Sequence, residues 1–267
     1  MVPYILEVIE DFIKFDPGSK KARTPAADHL FKVRDDAKPI SEKLAQTFHT
    51  FIAKSLFATK RARPDIATAV SFLTTRVTEP DEDDWKKLVC MIRYLNGSPD
   101  LPLTLKADST SIVKWWVDGY YAVHPDFRSQ TGGTGSLGKG SIISTSTKQK
   151  LNTRSSTETE LVAADDLMPH VCWTNYFLDC QGYNIDSTIL FQDNQPAILL
   201  ENNGKKFSSK RTKHMNIRYY FITHRIKNDE LKIEYCPTDN MVADYFTKPL
   251  QGKHFFQFRK TITNLES

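Results

Sequence analysis

The stretch that decides the fold lies at 112–145, where IVKWWVDGYY (112–121) is followed by GGTGSLGKG (132–140) and SIIST (141–145). The first part is rich in β-branched and aromatic residues, which favour a strand, and this strand ends at Asp118. Glycines spaced as closely as those at 132–140 indicate short antiparallel strands joined by tight turns. The stretch therefore predicts the beginning of a sheet, with an acid at the end of its first strand.

A helix and further strands are predicted downstream of this sheet. Ser155 and Thr157 each begin a capping-box pattern, so a helix start is marked but its register is ambiguous. Pro169 is expected to kink or split that helix. A strand over 188–192, a helix near 217–227, a strand over 231–235 and a last helix from about 239 follow. This order indicates a mixed α/β sheet rather than a repeat protein.

The residues before this sheet have a different texture. Residues 41–96 show apolar residues at helical spacing, interrupted near Pro64 and Pro80, and predict a small helical bundle. Residues 1–40 are mixed and broken by prolines, and they read as an irregular lead-in.

Composition is that of an ordinary soluble globular protein. The chain has 267 residues, 40% hydrophobic and 25% charged, enough for one large domain or two modest ones. No apolar run approaches the length of a membrane span, so we expect no membrane association. The four cysteines form no CxxC pair, which favours free thiols over a disulfide framework or a zinc site.

Positive charge is concentrated between residues 205 and 232. This segment holds nine lysines and arginines against only Asp229 and Glu230, although the whole chain has a net charge of only +4. A local basic face suits a phosphate backbone. A solvated helix face is the alternative.

Four acids fall at or near the ends of separate predicted elements: Asp118, Glu160, Asp193 and Asp244. If they converge at one edge of the sheet, their oxygens would suit hard cations such as Mg²⁺ or Mn²⁺. Without a cation, some of these carboxylates should show raised pKa values. Structural roles are open for each: a helix N-terminal charge for Glu160, an N-cap for Asp193, and a surface acid for Asp244.

Six blocks of sequence, in order from about residue 60 to residue 250, resemble the polyproteins of copia-type LTR retrotransposons. They are ARPDIA (62–67), the helix from Trp85 to IRYLNG (92–97), RSSTETEL (154–161), DNQPAI (193–198), KRTKHMNIRY (210–219) and DNMVADYFTKPL (239–250).

This resemblance implies a domain organisation and a fold. Residues 106–250 would form an RNase H domain, an α/β RNase H-like fold with a five-stranded mixed sheet and flanking helices. Residues 41–105 would be a thumb-like remnant of the reverse transcriptase, after an irregular segment 1–40, and residues 251–267 would be a tail. Asp118, Glu160, Asp193 and Asp244 fall at the family's catalytic, metal-binding positions, which implies two Mg²⁺ (or Mn²⁺) ions.

The resemblance also implies an activity and its partners. The activity is endonucleolytic hydrolysis of the RNA strand of RNA–DNA hybrids during reverse transcription, and the partners are the hybrid and the polymerase and integrase portions of a parent polyprotein. Residues expected to contact nucleic acid are Lys210, Arg211, Lys213, Arg218, Ser155 and Asn194. The implied location is cytoplasmic, in a virus-like particle, and also nuclear. The alternative is a catalytically inert remnant.

Some features depart from related enzymes. Asp118 is followed by Gly-Tyr-Tyr where much of the family has D-A-D-W, so one acid is absent. The loop before Asp244 lacks the histidine of cellular RNases H, which leaves proton transfer to water or to Asp239. Asp35-Asp36 has the wrong flanks for a polymerase palm and Asp165-Asp166 lies inside a predicted helix, so polymerisation is not expected. A three-acid integrase is disfavoured by Asp244 within the FTKPL block.

Overall fold

The computed structural model describes residues 1–18, 20–109, 111–204 and 216–265, and it describes 216–220 by backbone alone. The chain divides into two compact units. Unit 1 comprises Met1–Leu103 with Lys248–Ser267, and unit 2 comprises Thr104–Thr247. Within the described residues, no helix combines the length and the apolar character needed to cross a membrane.

Unit 1 is helical. Its helices are α1 (Val2–Ile13), α2 (Glu42–Arg61), α3 (Ala67–Thr74), α4 (Glu82–Gly97) and α9 (Gly252–Thr263). Phe12 of α1 lies between the rings of Phe51 and Trp85, at centroid distances of 4.9 and 5.6 Å. Aromatic packing of this kind joins three helices that are far apart in sequence.

A buried ion pair organises the other side of unit 1. The Arg63 guanidinium donates to both oxygens of Asp65 at 2.9 and 2.8 Å, and both side chains are almost fully buried. The Tyr94 hydroxyl donates to Asp65 at 2.6 Å, and Arg259 of α9 donates to that hydroxyl at 3.1 Å. A buried charge without a partner destabilises the folded state, so replacing one member of this network would leave the others with an uncompensated charge.

Two segments differ from the sequence-based expectation. The lead-in 1–40 contains helix α1, which buries Ile5, Val8, Ile9 and Phe12. Their i, i+3, i+4, i+7 spacing is that of an apolar helical stripe, and Pro3 is tolerated in a first turn. The expected tail 251–267 instead contains α9, which buries Phe255, Phe258 and Ile262 and belongs to unit 1.

Unit 2 is built on a mixed sheet. Within the described residues, the strands β2 (Ile112–Tyr120), β3 (Gln130–Ser136), β5 (Ile143–Lys148), β6 (Ser187–Gln192) and β7 (Lys232–Tyr235) lie in the order β5-β3-β2-β6-β7. Neighbours are antiparallel from β5 to β2 and parallel from β2 to β7. A short two-stranded sheet pairs β1 (Lys106–Ala107) with β4 (Gly138–Lys139).

Four described helices flank this sheet: α5 (Ser156–Cys180), α6 (Gln195–Asn203), α7 (Asn216–Lys227) and α8 (Asp244–Thr247). This is the five-stranded mixed sheet with flanking helices predicted for an RNase H-like fold, so the predicted fold class is confirmed. Of the two outcomes expected at Pro169, a kink or a split, the split does not occur, because α5 continues through Pro169 as a single helix.

The core of unit 2 depends on glycines in β3. Trp115 of β2 is wholly buried, and its register partner across the ladder is Gly135. A Cβ at Gly135 would lie 2.7 Å from the Trp115 ring, and one at Gly133 would lie 2.7 Å from a methyl of Leu167 on α5. The glycine-dense pattern therefore makes room for large side chains on both neighbours.

We expect Gly135→Ala to destabilise unit 2 by about 1–3 kcal/mol, because the added methyl would overlap the buried Trp115 ring. Urea unfolding followed by tryptophan fluorescence measures this. Gly97→Ala is the control, since its methyl would meet its nearest atom at an ordinary 3.5 Å. A Gly135→Ala protein as stable as the native chain would contradict this account of β3.

Helix α6 contains a buried carboxyl group. The Glu201 side chain is fully buried, and neither of its oxygens has a hydrogen-bond partner in the described structure. Burial raises the pKa of Glu201 well above its ordinary value. The folded state therefore holds the neutral form in a pH range where the unfolded chain is ionised.

We expect this group to make the chain less stable as pH rises. A raised carboxyl pKa leaves stability intact below the unfolded pKa and lowers it between that value and the folded pKa. Glu201→Gln should therefore gain about 1–3 kcal/mol near pH 8 and less near pH 5. Thermal unfolding at both pH values tests this, with the exposed Glu234→Gln as the control. A gain that does not change with pH would contradict the assignment.

Candidate metal centre

Asp118 lies near the end of the central strand β2 and is almost fully buried. Its register partner on β3 is Gly132. The hydroxyl of Thr247, the last residue of α8, donates to an oxygen of the Asp118 carboxylate. The first predicted site residue is thus held in the middle of the sheet, with a hydroxyl partner from the other end of unit 2.

Glu160 is brought to Asp118 by the start of α5. The Ser155 hydroxyl accepts from the Glu158 N–H at 3.2 Å, which resolves the ambiguous helix start in favour of Ser155 as the N-cap. Where α5 crosses β2, a Cβ at Gly119 would lie only 2.9 Å from the Thr159 carbonyl oxygen. Glycine at 119 therefore allows the approach that places Glu160 beside Asp118.

Asp193 follows β6, the parallel neighbour of β2. It is half-buried, and the Thr238 hydroxyl donates to one of its oxygens at 2.9 Å. Asn194, rather than Asp193, caps α6, because the Asn194 side chain accepts from the Ala197 N–H at 3.0 Å. The Asp193 carboxylate is thus left for another role.

These three acids form one cluster. Asp118, Glu160 and Asp193 each offer a carboxylate oxygen, and the three oxygens lie within 4.8 Å of one another. Burial above all, and then the charges of Asp118 and Asp193, raise the pKa of Glu160 well above its ordinary value. The Gly119 N–H opposes this shift.

A divalent cation fits this cluster. One buried Glu160 oxygen has no hydrogen-bond partner in the described part of the chain, although buried polar atoms are nearly always paired. A cation at the cluster would supply that partner and offset the repulsion between carboxylates. Oxygen ligands without histidine or thiolate suit a hard ion such as Mg²⁺ or Mn²⁺.

Asp244, the fourth predicted ligand, is adjacent to the cluster but outside it. Among the described residues, the oxygens within 4.8 Å of one another come from the other three acids. Asp244 opens α8 and is buried, and its carbonyl oxygen lies 3.4 Å from the Thr247 hydroxyl. Burial is the main cause that raises the pKa of the Cys236 thiol, and the charges of Asp193 and Asp244 raise it further. Both acids therefore lie near that cysteine.

The residues predicted to contact nucleic acid have mixed outcomes. Ser155 and Asn194 both cap helices beside the cluster. Lys210, Arg211 and Lys213 lie outside the described residues, and Arg218 is described only as backbone of α7.

Two threonines at the cluster were not predicted from the sequence. Thr238 and Thr247 each donate to one acid of the cluster. Thr247 lies inside the FTKPL block, which was the one available signal.

Comparisons with known proteins give relatives by sequence and by structure. No protein-family model matches the chain. The retrovirus-related Pol polyprotein from transposon TNT 1-94 of Nicotiana tabacum is 29% identical over 270 residues, which cover 99% of this chain and 20% of that protein. That from transposon RE2 of Arabidopsis thaliana is 31% identical over 202 residues, covering 75% and 14%. The chain thus spans about a fifth or less of these relatives, and the predicted resemblance is confirmed.

Among solved structures, LC11-RNase H1 isolated from compost matches 51% of this chain and 92% of its own, with a TM-score of 0.39 and 13% identity. An RNase H1 from Halobacterium salinarum matches 51% and 93%, with a TM-score of 0.35 and 15% identity.

We expect Glu160→Gln to raise the unfolding midpoint in EDTA by roughly 3 °C, which corresponds to about 1 kcal/mol, because it removes a carboxyl group whose ionisation is opposed by burial and by the charges of Asp118 and Asp193. The stabilisation that the native chain gains from Mg²⁺ or Mn²⁺ should be lost in this variant. Thermal unfolding with EDTA and with each cation measures both effects.

The exposed Asp186→Asn is the control for charge removal alone, and it should keep the cation response. A native chain whose midpoint does not respond to either cation would argue against a metal site.

Proposed function

Because the homologues of this chain are Pol polyproteins of copia-type transposons, we propose that it is a retrotransposon-derived RNase H. The reaction is metal-dependent, endonucleolytic hydrolysis of the RNA strand of RNA–DNA hybrids during reverse transcription. The observation that carries the proposal is the cluster of Asp118, Glu160 and Asp193, whose oxygens lie within 4.8 Å of one another in an RNase H-like sheet.

Two Mg²⁺ or Mn²⁺ ions are the proposed cofactors. When bound, such a pair activates a water on one side of a phosphodiester and stabilises the leaving oxygen on the other. Asp118, Glu160, Asp193 and Asp244 are proposed to hold these ions. The catalytic residues would then be these same four acids.

Other residues of the chain position these acids and exclude water from part of the site. Asp118 and Glu160 are buried, which strengthens their attraction for a cation relative to the same carboxylates in water. Half-buried Asp193 lies on the more open side of the cluster. Asp239, on the exposed turn that also carries Thr238, is the proposed side chain for proton exchange with solvent where a loop histidine is lacking.

The substrate is proposed to bind mainly through its phosphates. Lys210, Arg211, Lys213 and Arg218, with Ser155 and Asn194 at helix N-termini, are the proposed contacts. Such binding weakens steeply as salt rises. RNA would be distinguished from DNA by 2′-hydroxyl contacts and helix shape rather than by sequence.

The proposed biological setting is the parent polyprotein. The polymerase and integrase portions would be partners, since relatives are at least five times longer than the stretch they share with this chain. The proposed location is cytoplasmic, in a virus-like particle, and nuclear.

We expect the native chain to cut the RNA strand of a labelled RNA–DNA hybrid with Mg²⁺ or Mn²⁺, leaving 3′-hydroxyl and 5′-phosphate ends. Asp193→Asn should abolish cutting, because it removes a charged ligand proposed to hold the ions. Gel analysis of the labelled strand measures this, with duplex DNA as the substrate control and Asp186→Asn as the protein control.

The alternative is an inert remnant that binds nucleic acid weakly or not at all. It predicts no cutting by a folded native chain under any of these conditions. Cutting that persists in Asp193→Asn would instead indicate a contaminating nuclease.

A further inference from the structure

We propose that Thr247 is a positioning residue, whose hydroxyl holds the Asp118 carboxylate in the orientation that accepts the cation. The inference rests on the proposed function, since it takes Asp118 to be a metal ligand. Thr247 is fully buried, and its hydroxyl donates to one oxygen of the Asp118 carboxylate. A hydrogen bond to one oxygen fixes the plane of the carboxylate and so directs the other oxygen.

Thr247 is held in place by close packing of α8 on the sheet. A Cβ at Gly132 would lie 2.5 Å from the Thr247 methyl and 2.9 Å from the Ala243 carbonyl oxygen. The Ser146 hydroxyl of β5 donates to the Phe246 carbonyl at 2.6 Å. Because β3 and β5 both contact the segment 243–247, the Thr247 hydroxyl has little freedom to leave Asp118.

This hydroxyl also reduces the repulsion within the cluster. A donor to a charged acceptor makes a hydrogen bond about twice as strong as one between neutral groups. The Thr247 hydroxyl dipole, directed at one oxygen of Asp118, offsets part of the negative charge that the three acids bring together. The effect is large only because the pair is buried, away from competing water.

Thr238 provides an internal comparison. Its hydroxyl donates to Asp193 at 2.9 Å, so the segment 238–247 supplies a hydroxyl to two acids of the cluster. Thr238 is exposed, however, and water can replace its hydroxyl. The proposal therefore assigns a strong effect to Thr247 and a weak one to Thr238.

The test measures Mn²⁺ binding to the full chain by calorimetry, a readout independent of cleavage. Loss of a partner that orients a metal ligand commonly costs about 10–100-fold in affinity, and we expect this loss for Thr247→Val. Thr247→Ser keeps the hydroxyl and should stay near the native affinity. Thr238→Val should lose only a few-fold by the same principle.

Thr223→Val is the matched control. Thr223 is also buried in unit 2, and its hydroxyl donates at 2.6 Å to the Glu201 carbonyl rather than to the cluster. It should bind Mn²⁺ like the native chain. If Thr247→Val does not fold, Thr247→Ala against Thr247→Ser makes the same comparison.

Native-like affinity in Thr247→Val, or equal losses in the serine and valine variants, would overturn the role of this hydroxyl and leave the proposed metal site standing. No Mn²⁺ binding by the native chain would overturn the metal site itself, and with it this inference.

Discussion

Repulsion between three carboxylates is the constraint on which the rest of unit 2 depends. Asp118, Glu160 and Asp193 keep an oxygen each within 4.8 Å of the others, in a setting that raises the pKa of Glu160. In water such groups would separate, so the packing of the elements that carry them must supply the opposing free energy. Asp118 and Asp193 each lie two residues after the last pair, Trp116 and Phe191, in the ladder between the neighbouring strands β2 and β6.

The two helices that complete the site reach it through glycines. At Gly119 and Gly132, any side chain would come within 3 Å of backbone atoms of α5 and α8, respectively. These contacts bring Glu160 and Thr247 to Asp118. Glycine normally weakens a strand. At these two positions it allows the helix backbone to come closer to the strand than any larger residue would permit. The loss is offset by the core around Trp115 and Leu167, both wholly buried.

Among the sequence blocks shared with copia-type polyproteins, those within the described residues have two physical roles. The blocks at 154–161, 193–198 and 239–250 supply the residues around Asp118, which are Glu160, Asp193 and Thr247. The ARPDIA and IRYLNG blocks instead supply Arg63, Asp65 and Tyr94, a buried ion pair and its hydroxyl donor. Removing one member of such a network leaves a buried charge uncompensated. These two blocks thus contribute to the stability of the helices of unit 1.

The sequence by itself determined the α/β class, the glycine-dense antiparallel strands and the acids at element ends, because these are written in local periodicity and turn chemistry. It also marked the start of α5, though not which of two capping residues is used. The apolar stripe of Ile5, Val8, Ile9 and Phe12 is present in the sequence, but the assignment of helices 2–13 and 252–263 to unit 1 is not, since it depends on partners distant in the chain. Only the tertiary structure decided that Thr247 bonds Asp118, that Asp244 lies outside the three-acid set, and that Glu201 is buried. The first two depend on which side chains meet across long stretches of sequence, and the third depends on what covers one face of α6. No local sequence pattern carries that information.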